Sequence, residues 1–195
     1  MKLSATLFLA LALCPAAPSR IDTAKTFGNP SAPVTIELFS DFQCPSCRAL
    51  HMQILPSLMR DYVQSGKAYL VYKEFPLMQH AHAKEAATYA VASARVGKYE
   101  QVADALFQNQ SIWEASGKVF DTVATALTPA EQKKVQALVK DPAVTDEVAQ
   151  DMQDGLNSGI NQTPTMLIMR GTKKYPIAGV VNYSLLQSLL NDLAK

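Results

Sequence analysis

The sequence predicts an α/β fold, in which strands near the two ends of the chain build one sheet and a long helical block separates them. Two runs rich in β-branched and aromatic residues, 34–40 and 68–75, flank a helical stretch. Residues 80–159 show helical spacing of apolar residues. After Gly159 a hairpin pattern and a Leu-rich helix follow. The predicted order is therefore βαβ, a block of helices, then ββα.

Length and composition restrict the class of protein. A chain of 195 residues corresponds to one domain, or to one domain with an insertion. The hydrophobic fraction of 48% is enough for a sizeable core, and the net charge is only +1. Because acidic and basic residues are spread along the chain, neither nucleic acid nor an anionic membrane surface is predicted as a partner.

The N-terminal segment, residues 1–17, has the features of a secretory signal peptide. Lys2 gives a positive start, and an apolar run that is too short to span a membrane leads into small residues. Removal of this segment would place the mature protein in the periplasm or elsewhere outside the cytoplasm, where disulfides persist. A lipoprotein modified at Cys14 is an alternative that is less favoured, because Leu13 is bulky for the preceding position.

The first half of the predicted sheet comes from one strand–helix–strand unit. The strand at 34–40 is followed by a helix from 44 to 63, whose apolar residues have helical spacing. Pro56 lies inside this helix and should kink it. The second strand covers 68–75, and a βαβ unit predicts that the two strands are parallel.

The helical block is predicted to contain several separate helices. Three of them cover 82–96, 98–108 and 118–127. Thr128 and Glu131 have the spacing of a capping box, with Pro129 at the first helical position. Asp141 precedes a proline and opens a further helix with an apolar residue at every fourth position.

The C-terminal part completes the predicted sheet. A strand at 165–169, a turn at Gly171 and a strand at 174–178 form a hairpin, and Asn182 caps the final helix. The two ends together predict a four-stranded sheet with helices on both faces, and residues 80–159 are then an insertion.

Cys44 and Cys47, in the segment SDFQCPSC, carry the predicted chemistry. Cys44 follows a strand and opens a helix, where unpaired N–H groups and the helix dipole favour a thiolate. A lowered pKa makes the sulfur reactive and a good leaving group. Pro45 suits the first helical position, and Ser46 can donate a hydrogen bond to the thiolate. Cys47 lies one turn later on the same face, so the pair can close a catalytic disulfide.

A structural staple and a metal clip are the alternatives for this pair. The disulfide ring would be too small to restrain the unfolded chain, which makes a structural staple a poor interpretation. One Cys-x-x-Cys pair supplies two of the four ligands of a tetrahedral site. His80 and His82 would point to different sides of a helix and complete such a site poorly. We therefore predict no metal, and no flavin, haem or nicotinamide motif indicates a cofactor.

Several segments together resemble one family. FSDFQCPSC, EFPLMQHAHA, the TPT motif at 163–165 and the lead-in GNPSAPVTIELFSDF resemble the DsbA-like branch of the thioredoxin superfamily, close to the BdbD-type enzymes. The resemblance covers about residues 26–194. It implies a thioredoxin fold with a central mixed sheet, built from residues 26–79 and 160–195, and an inserted helical domain at 80–159.

The same resemblance implies roles for residues outside the cysteine pair. Pro164 is expected to be cis and to lie beside the disulfide, and Thr163 is expected to offer its backbone to a substrate peptide. Together with Pro45 and Ser46 these residues would shape the active site. Glu37 matches the family's acidic proton relay loosely, because one extra residue separates it from the first cysteine.

The function implied is a secreted or periplasmic protein thiol–disulfide oxidoreductase, acting as a monomer, that introduces disulfides into reduced exported proteins. A membrane quinone-linked oxidase, DsbB-like or VKOR-like, would reoxidise the pair. One alternative is a thiol reductase or isomerase with the same pair, although isomerases of this superfamily usually carry a dimerisation domain. The other is a non-enzymatic chaperone or metal-binding module.

Overall fold

The computed structural model describes residues 23–195. The predicted signal peptide at 1–17, with Cys14, lies outside the described residues, so its processing stays a prediction. Among residues 23–195 no helix is both long and apolar enough to cross a membrane.

One mixed sheet forms the centre of the structure, with the strand order β1-β3-β2-β4-β5. The strands are β1 (Thr26–Phe27), β2 (Val34–Ser40), β3 (Ala68–Glu74), β4 (Thr165–Arg170) and β5 (Lys173–Ala178). β2 and β3 are parallel, as the βαβ pattern predicts, and the other pairs are antiparallel. The predicted four strands are present, and β1 is a fifth. Its two residues pair with β3 at the sheet edge and are too few to give a sequence pattern.

The helix after β2 is interrupted close to the predicted kink. α1 (Pro45–Gln53) ends just before α2 (Leu55–Leu58), which continues into a π-helical turn at Met59–Val63. Pro56 lies in the first turn of α2. Because proline has no N–H, it cannot donate a hydrogen bond to a carbonyl of the preceding turn. The predicted single helix is therefore two short helices and a wider turn, and only α1 carries the cysteine pair.

Helices occupy the chain between β3 and β4. They are α3 (Ala83–Ala94), α4 (Tyr99–Gln108), α5 (Gln110–Ser116), α6 (Val119–Ala124), α7 (Pro129–Leu138) and α8 (Pro142–Asn157), and α9 (Tyr183–Leu193) follows the hairpin. The capping box of Thr128 and Glu131 is present at the start of α7, and Asn182 caps α9. α5 is an addition to the predicted helices. That residues 80–159 form a separate inserted domain stays a prediction.

Helices cover both faces of the sheet, as predicted. One face of the central strands packs in a large core with α1, α4 and α9. On the other face Phe39 and Phe75 pack edge to face at 6.2 Å between ring centroids, next to Gly155 of α8. A Cβ on Gly155 would lie 2.7 Å from a ring carbon of Phe75, so glycine is what lets α8 approach the sheet this closely.

Candidate active site

The register of the sheet brings the two halves of the candidate site together. β2 and β4 are antiparallel neighbours, with Phe39 opposite Thr165. The end of β2, which leads into the cysteines, therefore lies beside the start of β4. As a result Cys44 Sγ is 3.5 Å from the carbonyl oxygen of Thr163, although 119 positions separate them in the chain. The Thr163–Pro164 peptide bond is cis, in agreement with the implied geometry.

Cys44 occupies the N-cap position of α1, with an extended backbone. A hydrogen bond from the side chain of Cys47 is the main cause that lowers the pKa of Cys44, to about 5. Hydrogen bonds from Thr163 and from the backbone of Cys47 and Ser46 act in the same direction, while burial opposes them. The hydroxyl of Thr163 is buried and has no hydrogen-bond partner within residues 23–195, so it is available to donate to the thiolate. Cys44 is thus a thiolate at neutral pH.

Cys47 is the buried member of the pair, with 1% of its surface exposed against 7% for Cys44. Burial and the neighbouring Cys44 raise the pKa of Cys47, so its thiol stays protonated at neutral pH. The backbone N–H of Asp41 donates a hydrogen bond to Cys47 Sγ at 3.4 Å, and Ser40 supplies a side-chain hydrogen bond. The sulfurs are free thiols in this structure, and their unequal acidity is typical of a redox pair with one attacking and one resolving sulfur.

Pro45 and Ser46 lie between the cysteines and are exposed. Pro45 takes the first position of α1, where its missing N–H costs no hydrogen bond. The structure brings Cys44 into direct contact with two other predicted site residues, Cys47 and Thr163, and Pro164 follows Thr163 in the same loop. Their roles in binding substrate stay a prediction.

Glu37 lies apart from the cysteines. Neighbouring residues of a strand point to opposite faces, and Ser40 is the β2 residue that hydrogen bonds to Cys47. Glu37 points to the other face, where Lys73 and Asp154 act on its charge. Burial raises the pKa of Glu37, and Lys73 opposes this. The structure therefore does not bring Glu37 to Cys47, and its role as a proton relay stays a prediction.

A glutamine from the helical segment supports the active-site loop and escaped the sequence analysis. Gln110, on α5, donates from Nε2 to the carbonyl oxygens of Phe42 at 2.7 Å and Cys44 at 3.1 Å. It is 5% exposed, so these carbonyls have a partner away from water. Nothing in the local sequence marks Gln110, because its partners lie 66 and 68 positions away.

Asp41 is a second supporting residue, and its carboxylate is fully buried. It accepts hydrogen bonds from the backbone N–H of Gln43 at 2.7 Å, the backbone N–H of Leu77 at 2.8 Å and Nδ1 of His80 at 2.6 Å. Its carbonyl accepts from the backbone N–H of Cys44 at 3.1 Å. An aspartate directly after a strand and ahead of the cysteines was the available sequence signal for this role.

The histidines do not form a metal site with the cysteines. His51, on α1, bonds to Asp104 through Nε2 at 2.7 Å and stacks on Phe107 at 4.5 Å between centroids. Within residues 23–195 no group of three or more His, Cys, Asp or Glu side chains is arranged to hold a metal ion.

A family model described as Thioredoxin matches residues 21–191. The chain is 23% identical over 155 residues to a probable disulfide bond formation protein D from Bacillus cereus, which covers 75% of this chain and 70% of that protein. This chain covers only 26% and 22% of the length of two other curated relatives.

Solved structures give the same fold. A thioredoxin-like oxidoreductase from Silicibacter pomeroyi is 27% identical, with a TM-score of 0.72 and coverage of 91% of this chain and 97% of that chain. BdbD from Bacillus subtilis is 21% identical, with a TM-score of 0.69 and coverage of 90% and 95%. At 21% identity the similarity to BdbD shows only a shared fold.

Proposed function

The chain belongs to the thioredoxin family and is a thiol–disulfide oxidoreductase, and from that premise we propose that it introduces disulfides into exported proteins through Cys44 and Cys47. The relative from Bacillus cereus is named as a probable disulfide bond formation protein. The observation that carries the proposal is the unequal acidity of the two sulfurs, with the pKa of Cys44 lowered and that of Cys47 raised.

This inequality favours disulfide donation for a physical reason. A stable Cys44 thiolate stabilises the reduced form of the pair, and a pair whose reduced form is stable is a strong oxidant. The same thiolate is a good leaving group when a second substrate sulfur attacks the mixed disulfide at Cys44. The low pKa of Cys44 therefore favours exchange from the enzyme disulfide to the substrate.

Four bond changes transfer one disulfide. A substrate thiolate attacks Cys44 Sγ, the Cys44–Cys47 bond breaks, and Cys47 leaves as a thiolate that takes up a proton. The second substrate thiol then loses its proton and attacks the substrate sulfur of the mixed disulfide. Cys44 leaves as a thiolate, the substrate has lost two electrons, and the enzyme pair has gained them.

The surface around Cys44 supports a peptide as substrate. The Thr163 carbonyl lies beside the sulfur, and we infer that the backbone of Thr163 and Pro164 pairs with an extended substrate segment. Pro45 and Ser46 are exposed beside it. Met78 is 97% exposed and Ile112 is 64% exposed, on the two segments that hold the active-site loop. Exposed apolar side chains suit unfolded polypeptides, whose own apolar residues are not yet buried.

Location, reoxidation and domain division complete the proposal. The enzyme would act in the periplasm or another extracytoplasmic compartment, where substrates remain oxidised. A membrane quinone-linked oxidase, DsbB-like or VKOR-like, would take the electrons from the reduced pair. The protein would work as a monomer, with a thioredoxin-like part at 26–79 and 160–195 and a helical insertion at 80–159.

The proposal is tested by stoichiometric disulfide donation. The oxidised protein is mixed with reduced, unfolded ribonuclease without other oxidants, and thiols on both proteins are counted by alkylation and mass spectrometry. We expect one substrate disulfide for each enzyme pair that becomes reduced. A sample that was reduced and alkylated beforehand is the control. No loss of substrate thiols from the oxidised protein would contradict the proposal.

A further inference from the structure

Charge must be stabilised on Cys47 when the proposed reaction begins. As the substrate thiolate bonds to Cys44, the electron pair of the broken bond stays on Cys47 Sγ, which is buried. Until that sulfur is protonated, hydrogen-bond donors have to replace water around it. The structure shows one donor by its geometry, the backbone N–H of Asp41 at 3.4 Å. The side chain of Ser40 is a second group that favours the charged form of Cys47.

The direction of the Asp41 N–H depends on how the Asp41 residue is held. Its carboxylate is fully buried and binds two backbone N–H groups, from Gln43 in its own turn and from Leu77 in the segment after β3. The side-chain donor is His80, whose Nδ1 is 2.6 Å from Oδ2. The histidine thus links the active-site loop to the segment that precedes α3.

We propose that His80 is a positioning residue which, by holding the Asp41 carboxylate, keeps the Asp41 N–H aimed at the Cys47 sulfur, where it stabilises the leaving thiolate. The inference rests on the proposed function, because it concerns the first step of the same exchange. His80 does not touch a reacting atom in this assignment. It acts through Asp41, and its effect is therefore specific to reactions in which Cys47 leaves.

Geometry explains why the histidine matters although two backbone donors remain. The two backbone bonds reach the carboxylate from different segments, and His80 shares Oδ2 with Leu77. Without the imidazole the buried carboxylate would lose one of the hydrogen bonds that offset its removal from water. The Asp41 turn could then shift towards water through the space that His80 leaves. His80 is 20% exposed at its side chain, so water can enter there.

The test measures the rate at which dithiothreitol attacks the oxidised pair, by quenched-flow alkylation and mass spectrometry. His80→Ala is expected to lower this second-order rate constant about tenfold, the effect of weakening one hydrogen bond to a charged group. His80→Asn retains a side-chain N–H donor on Cγ, where the histidine carries Nδ1, and is expected to recover most of the rate. Ser40→Ala removes the second group that favours the charged form of Cys47 and is expected to slow the same step. His82→Ala is the matched control and should leave the rate unchanged.

A second readout separates positioning from a general loss of structure. In a Cys47→Ala background the rate of Cys44 alkylation by iodoacetamide does not involve a leaving Cys47, so adding His80→Ala should change it less than twofold. The inference is overturned if His80→Ala leaves dithiothreitol attack within twofold of the parent rate, or if it slows both reactions equally. If the parent protein itself does not react through Cys44, the proposed function fails instead.

Discussion

Replacement of Cys44 by serine is expected to reduce disulfide donation to the rate of substrate oxidation in buffer alone. The sulfur of Cys44 is the one that carries the thiolate, lies beside the Thr163 carbonyl and is less buried than Cys47. A serine hydroxyl cannot form the mixed disulfide, so no other step of the exchange can follow. The measurement is the loss of thiols from reduced ribonuclease, with each variant first treated with the same oxidant.

Cys47→Ser supplies the contrasting variant. The Cys44 thiolate of this variant still attacks a disulfide such as oxidised glutathione, forming a mixed disulfide and releasing one glutathione thiolate, but no second enzyme sulfur can resolve that mixed disulfide. We expect covalent adducts through Cys44 to accumulate on non-reducing gels, and none to form with Cys44→Ser. Equal adduct formation by both variants would show that Cys44 is not the attacking sulfur.

The acidity of Cys44 gives the second large effect. Its alkylation rate in the reduced protein should follow a titration with a midpoint near the pKa of about 5, whereas a free cysteine titrates at about 8.5. At pH 6 the protein thiol should therefore react while free cysteine is almost inert. Since the hydrogen bond from Cys47 is the main cause of the lowered pKa, Cys47→Ala should raise the midpoint, without restoring the value of a free thiol.

The same shift links the stability of the reduced protein to pH. A thiol whose pKa is lowered on folding stabilises the folded state fully above its unfolded pKa, and this stabilisation is lost as the pH falls through about 5. At pH 7 it amounts to at most about 2 kcal/mol after allowance for solvent screening. The melting temperature of the reduced protein should exceed that of reduced Cys44→Ser at pH 7 and approach it at pH 4. An alkylation midpoint near 8 would contradict the lowered acidity.

Much of the fold followed from local sequence patterns. Runs rich in β-branched and aromatic residues predicted β2 and β3, and a hairpin pattern predicted β4 and β5. Helical spacing predicted most of the helices, because these elements are long enough to repeat the pattern. β1 has two residues and no pattern, and it forms because β3 offers an open edge. α5 was not among the predicted helices, since its seven residues give barely two turns and its role lies in the contacts of Gln110.

The site could be predicted only where chemistry is local. The sequence indicated Cys44 and Cys47 because their spacing and position at a helix start are visible in one segment. The contact of Cys44 with Thr163 came from the family resemblance and depends on the pairing of β2 with β4. The face on which Glu37 lies depends on how the strand enters the active-site loop, and the bond between Asp41 and His80 joins segments 39 positions apart. Those two features depend on the tertiary structure and could not be predicted from the sequence.

The equilibrium redox potential of the Cys44–Cys47 pair against glutathione tests the central claim most directly. The reduced fraction is measured by alkylation and mass spectrometry across a series of glutathione buffers at pH 7. A donor of disulfides should have a potential between that of thioredoxin, about −270 mV, and that of DsbA, about −120 mV, and nearer the second. A potential as low as that of thioredoxin would contradict the account, because the pair would then reduce its substrates rather than oxidise them.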